Sequence, residues 1–555
     1  MNLSPRNPGR RIGRAFLVAL TAASLSLLGE GAVASAIASP STGAEAPAIQ
    51  QRRQTKKSTS RTQRRATTPR RSTRRSTARR ARTRPAAART PPAPRWNSVH
   101  GTAPLAAALA DAVDGTTRGG QWGVMVVSLT RGDTLFARNP DVMLKPASTL
   151  KMYSAAVALE RFGPDHTFRT TVFRDGDLKP DGTLEGNLYL KGDGDPALGS
   201  PRFWQGQNPL DLLAEKVAAA GIKRVSGAVI ADGSAFDDKP IPDGWKTSYL
   251  GAAYAARVSA LSLAENLTWV VVKPQGRTAS VTLEPATTAV PVVGNVAVVG
   301  GSGGRISAAR GSDGVIRVRG VIGRNSPPRK WSLVVDDPTT YAGGALAASL
   351  QKAGVQVAGG ARLGPTPKSA TSVAAVASPP LSRIATEMNR ESINLYAELL
   401  FRDAARADMP ERGANAASAL QHLRGFFREK VKGSPEAINV MDGSGLSELD
   451  FVTPRSMVQL LGYAHQAPWS ATFHASLPAS GESGTLARRQ RGTPAAGNLH
   501  AKTGTTNTVV ALGGYVTARN GEVMAFSFIF NGGDRGNARA AMDRMGATLA
   551  EWVRE

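Results

Sequence analysis

Two pairs of short apolar runs, one near each end of the chain, fix its fold more than any other feature. Gly123–Ser128 and Thr134–Ala137 flank Arg131-Gly132-Asp133, and far downstream Val509–Val516 and Val523–Phe530 flank Asn520-Gly521. Turn residues between apolar runs predict antiparallel hairpins, and Asn-Gly is among the strongest such signals. A helix is expected from near Pro146, with Leu150, Tyr153, Val157 and Leu159 on its buried face, and another from about Ala538 to Val553. The simplest assembly is one antiparallel sheet built from both ends with helices packed on it, everything between about 167 and 380 being inserted.

The insert is rich in Val, Gly, Asp and Pro. Leu188–Leu190, Ala228–Ile230, Trp269–Lys273, Val292–Val299 and Trp331–Val335 are short strand candidates separated by turn signals, so one or two mainly β domains are expected. No period of repetition points to a solenoid.

Charge is distributed unevenly. The 555 residues carry a formal net charge of +27, yet residues 51–96 alone hold 17 Lys and Arg with no acid. Interleaved with Ser, Thr, Ala and Pro, this segment cannot bury a core and reads as a self-repelling linker. No aromatic interrupts it before Trp96, so nothing in it would stack bases and nucleic acid is not an expected partner. Its charge suits anionic envelope polymers or lipids, a passive tether being the plain alternative. Upstream, Arg10, Arg11 and Arg14 precede an apolar run from Ala15 to Leu28 and small-residue sites at Ala34-Ser35-Ala36 and Ala36-Ile37-Ala38. That is the pattern of an export signal, and the run is too short to span a bilayer. The expected location is exported, periplasmic or cell-envelope.

Cysteine is absent, which excludes disulfide frameworks and thiolate nucleophiles, and the six histidines form no H-x-x-x-H pair. No metal or organic cofactor is expected. The chemistry sits instead on three short pieces. In Ser148-Thr149-Leu150-Lys151, the spacing of three puts hydroxyl and amine on one helical face. Ser392-Ile393-Asn394 can point a serine and a carboxamide into one cleft from a loop that enters a helix. In Lys502-Thr503-Gly504-Thr505, Lys502 and Gly504 share a strand face, and the glycine would let a substrate backbone approach closely. Each alone is weak: Ser349-Leu350-Gln351-Lys352 repeats the first pattern with no partners following at comparable distance. In this order, however, S-x-x-K, S-x-N and K-T-G are the serine acyl-transfer set, and the long first gap leaves room for a large insert.

With these motifs the chain resembles the D-Ala-D-Ala carboxypeptidase/endopeptidases, the low-molecular-mass class C penicillin-binding proteins, over nearly all of 104–553. Gly192–Pro196, Val258–Ser262, Met441–Ser447 with Val452–Pro454, and Leu477–Gly481 with Gly484–Leu486 support the likeness. It departs from the family at Ile393, where an Asp is usual, at Ala264, where an Asn is common, and at Asp450, where an Asn would be expected. Ile393 should face away from the cleft if its neighbours face in.

The resemblance implies an α+β chain: a transpeptidase/β-lactamase-like domain, antiparallel sheet with helices, carrying two smaller mainly β domains between its first and second motifs. Expected limits are a signal peptide over 1–36, a basic linker over 37–98, and the catalytic domain over 99–166 and 380–555. The inserted domains would occupy 167–265 with 339–379, and 266–338. It further implies catalytic roles for Ser148, Lys151, Ser392, Asn394 and Lys502, and substrate binding by Thr503, Gly504 and Thr505. Peptidoglycan stem peptides would be substrates and β-lactams covalent inhibitors. Lys151 can act as a base only when neutral, which burial and the Lys502 charge would favour. Two other readings compete with this one: a serine β-lactamase, with Glu436 of Glu436-Ala437-Ile438-Asn439 as deacylating base, and a non-catalytic envelope-binding protein acting through its basic tail.

Overall fold

The computed structural model describes residues 103–406, 408 and 413–554. The expected signal peptide and basic linker lie outside the described residues. Both hairpins form and join one five-stranded antiparallel sheet. Its strands are β1 (Gln121–Ser128), β2 (Thr134–Arg138), β3 (His500–Thr505), β4 (Val509–Thr517) and β5 (Val523–Asn531), in the order β2-β1-β5-β4-β3. The two ends of the chain meet at β1 and β5, where Trp122 pairs with Phe530 and Val126 with Phe526.

These strands read as unbroken apolar runs because helices cover both faces. Alternate residues of one strand enter two different cores. Val124 and Val126 pack with Val510, Leu512 and Phe528 beneath α1 (Ala103–Asp114) and the terminal helix α6 (Arg535–Glu551). Met125 and Val127 pack with Ala511, Tyr515 and Ile529 against α2 (Lys151–Phe162), α3 (Leu381–Glu391), α4 (Asn394–Arg406) and α5 (Pro454–Gln466). Every residue of α2 from Lys151 to Leu159 is buried, so this helix is enclosed on all sides and not along a single stripe.

The expected strand segments of the insert are strands. Those within 267–334 form a six-stranded sheet among themselves, whereas Arg169–Arg174, Leu188–Lys191 and Val229–Asp232 share a five-stranded sheet with Ala361–Leu363 and Thr371–Ala377. Two helices also lie in this region, Pro209–Ala219 and Pro338–Lys352. Each starts on a capping side chain followed by proline at the first helical position: Asn208 accepts from the Leu210 N–H, and Asp337 from the Thr340 N–H. Ser349 and Lys352, the second S-x-x-K match, both bond Asp211 at 2.7 and 2.6 Å and so belong to a helix–helix contact. Among the described residues, no helix is long and apolar enough to cross a membrane.

Candidate active site

The chain reaches Ser148 through Pro146 and a 3₁₀ turn, Ala147–Leu150, that runs into α2. Ala147 sits at φ 46°, in the left-handed region, and Gly445 at φ 80° packs directly on it: a Cβ on Gly445 would collide with the Ala147 carbonyl. The preceding backbone is clamped as well. Asn531 of β5 accepts the Lys145 N–H at 2.9 Å and returns a bond to the Lys145 carbonyl at 3.1 Å. Serine 148 is thus held at the rim of the sheet by groups from both ends of the chain.

Lys151 lies one turn on and is completely buried. Its ammonium nitrogen is 3.0 Å from Ser148 Oγ, 2.6 Å from Asn394 Oδ1 and 2.7 Å from the Ser444 carbonyl. Asn394 opens α4, and its Nδ2 donates to the Tyr254 carbonyl at 2.8 Å. Ser392, two residues earlier, caps α3 at φ 59°, which turns its hydroxyl toward β3. There Lys502, also completely buried, donates to Ser392 Oγ at 2.9 Å and to the Thr503 carbonyl at 3.0 Å. Ser148, Ser392 and Thr505 line one cleft together, with Asn394 on one side of it and Thr503 on the other. All the motif side chains named from the sequence converge here except one.

Gly504 is the exception. It is buried, and a Cβ there would sit 2.6 Å from the Pro146 carbonyl and 3.2 Å from Ala147 Cβ. Its missing side chain makes room for the nucleophile turn. Ile393 packs on the apolar core, as its place between two cleft-facing neighbours required.

Burial dominates the electrostatics. It lowers Lys151 to about 8 against the opposing charges of Asp442, Glu398 and Asp450. Lys502 is held well below an ordinary lysine by its burial and by the Lys151 charge. Burial lifts the Glu398 carboxyl to about 8, with the Asp442 charge adding to it, and raises Asp450 strongly for the same two reasons. Asp442 anchors the group. It accepts backbone N–H bonds from Ser444, Gly445, Leu446 and Ser447 and the Trp245 indole N–H at 2.8 Å. This knot fixes the loop that presents the Ser444 carbonyl to Lys151. Sequence reasoning did not find Asp442, Glu398, Trp245, Ser444 or Tyr254 as parts of the site. The segment Met441–Ser447 carries part of the family likeness, but Lys151 meets it through the Ser444 main-chain oxygen and Asn394 is held by the Tyr254 main-chain oxygen, contacts that side-chain patterns do not reveal.

Glu436 is exposed and hydrogen-bonded to Ser434 Oγ at 2.6 Å, and it lines neither side of the cleft. The deacylating base of the β-lactamase reading is therefore missing from the position where it would act.

Residues 104–552 match the D-Ala-D-Ala carboxypeptidase 3 (S13) family. The chain belongs to that family. A D-alanyl-D-alanine carboxypeptidase of Actinomadura sp. (strain R39) is 35% identical over 462 residues, 79% of this chain and 83% of the relative. D-alanyl-D-alanine carboxypeptidase DacB of Haemophilus influenzae is 25% identical over 450 residues, 79% of this chain and 90% of the relative. The crystal structure of penicillin binding protein 4 from Haemophilus influenzae superposes with a TM-score of 0.66 at 23% identity, over 80% of this chain and 99% of that one. The protein is thus a hydrolase of the serine D-Ala-D-Ala carboxypeptidase family, with the α+β transpeptidase-like fold and inserted sheets of that group.

Proposed function

We propose that the chain is a carboxypeptidase/endopeptidase that opens peptidoglycan stem peptides through an acyl-Ser148 intermediate, and that β-lactams acylate the same serine. The observation that carries this is the Ser148 hydroxyl 3.0 Å from a lysine amine that burial brings to about 8. Neutral Lys151 takes the Ser148 proton as Oγ attacks the carbonyl carbon between two D-alanines. The backbone N–H groups of Ser148 and Thr505 would face the oxyanion. Collapse breaks the C–N bond while Ser392, hydrogen-bonded to Lys502, passes a proton to the leaving amine. Water then hydrolyses the ester. Asn394 holds Lys151 in place, and Lys502 with Thr503 binds the terminal carboxylate.

With this reading goes a division into a catalytic domain of 99–166 and 380–555 and inserted domains of 167–265 with 339–379 and of 266–338, supported by strands that pair within each set. The apolar run from Ala15 to Leu28 and the acid-free segment 51–96 support export and contact with anionic envelope polymers or lipids. The test is intact mass after incubation with benzylpenicillin. One stable adduct on the unsubstituted protein and none on Ser148→Ala is expected, together with release of D-Ala from a D-Ala-D-Ala peptide. No adduct on either protein would overturn the reading.

A further inference from the structure

The two sides of the cleft differ in chemistry. One is lined by Tyr249, Tyr254, Leu446, Asn507 and a single arginine, Arg535; the other, about 390 Å³, by Thr485, Thr503 and two arginines, Arg489 and Arg539, and neither has an acid among its lining residues. The second side includes Thr503, which the proposed function places at the terminal carboxylate, so on that reading the leaving group lies there.

The arginines are arranged by α6. Arg535, Arg539 and Asp543 follow at intervals of four and therefore lie along one helical face. Arg535 donates to the Thr506 carbonyl at 2.9 Å and is spent on holding the loop after β3. Asp543 accepts from Arg489 Nε and Nη2 at 3.0 and 2.7 Å, which fixes that guanidinium at the cleft wall with 15% of its side chain exposed. Arg539, between them, is exposed and has no ion-pair partner among the described residues. A single D-alanine brings one carboxylate, which the proposed function assigns to Lys502 and Thr503. The cationic wall beyond them has nothing to bind in that reaction.

We propose that Arg539, with Arg489 behind it, forms a subsite for a second carboxylate on the leaving side of the scissile bond, so that the favoured leaving group is an acidic peptide such as the acceptor arm of a peptidoglycan cross-link. The inference rests on the acyl-Ser148 reading and extends it from the bond cleaved to the length and charge of what departs. Guanidinium–carboxylate pairs are the natural means of such recognition.

The test compares three substrates on the full chain: a peptide ending in D-Ala-D-Ala, a purified cross-linked stem-peptide dimer, and the same dimer with its acceptor carboxylates amidated. Arg539→Gln is expected to lower kcat/KM for the acidic dimer about five- to tenfold more than for D-Ala release, mainly through KM. The amidated dimer should not show this extra loss, and added salt should shrink it. Equal losses on all three substrates, or equal handling of acidic and amidated dimers by the unsubstituted protein, would overturn the subsite. If the unsubstituted protein neither releases D-Ala nor takes up benzylpenicillin, the acyl-serine reading fails first, and the subsite falls with it.

Discussion

The pH dependence of acylation follows from the burial of Lys151. An ordinary lysine has a pKa near 10.5, so only about 0.03% of it is free base at pH 7. With Lys151 lowered to about 8 by burial, the neutral fraction is about 1% at pH 6, about 9% at pH 7 and about 90% at pH 9. A base that works only when neutral therefore makes the second-order rate of benzylpenicillin acylation rise nearly tenfold per pH unit from 6 to 7, then level off above the midpoint, for a total gain of about 90-fold between pH 6 and 9. Stopped-flow or quench mass spectrometry across that range reads the curve directly. Glu398, raised to about 8, titrates in the same window, so the apparent midpoint belongs to a coupled site. Glu398→Gln separates them: removing a charge that raises Lys151 should move the midpoint down. A flat profile from pH 6 to 9, a rise that continues past pH 10, or an upward shift in Glu398→Gln would refute the assignment of Lys151 as base.

Three further outcomes are expected. Gly445→Ala, at φ 80° and against the Ala147 carbonyl, should leave a folded protein by circular dichroism whose acylation rate has dropped by more than about 100-fold. Trp245→Phe removes the indole donor to buried Asp442, at about 1–3 kcal/mol of stability, and thermal unfolding together with the acylation rate should both register it. Because Lys502 is held well below an ordinary lysine by burial and by Lys151, a bound carboxylate should restore its proton. Calorimetry of a D-Ala-D-Ala ligand on Ser148→Ala, in two buffers of different ionisation heat near neutral pH, should then show proton uptake, and zero uptake would contradict the proposed role of Lys502.

Much of this was legible because the informative residues are side chains in local patterns. The strands β1, β4 and β5 announce themselves as apolar runs bounded by Gly132 and Asn520-Gly521, and the three motifs carry their chemistry in their own spacing. Three things were not legible, each for a physical reason. The helices Pro209–Ala219 and Pro338–Lys352 begin with clear cap-proline pairs, but the Val- and Gly-rich composition around them points to strands. The acids beneath Lys151 come from residues 398, 442 and 450, which no local spacing links, so their opposition to the effect of burial emerges only in three dimensions. The strand pattern does not show that Gly504 also makes room for the nucleophile turn, because Pro146 and Ala147 reach it only through packing.

The Tyr254 carbonyl that receives Asn394 has a consequence for the modularity of the molecule. Tyr254 lies in the inserted stretch of chain, as do Trp245, whose indole holds Asp442, Asp243, whose carbonyl accepts from Ser447 Oγ at 2.6 Å, and Lys246, which pairs with Glu448 at 2.7 Å. The serine-bearing sheet does not own its active site outright. Excising the insert to leave a compact enzyme would strip the outer face from both the Asn394 and the Asp442 positions, so the minimal catalytic unit is larger than the sheet and helices that display the motifs. Substitutions in the insert that displace Asp243, Trp245, Lys246 or Tyr254 are therefore expected to register in the acylation rate although none of them carries a motif.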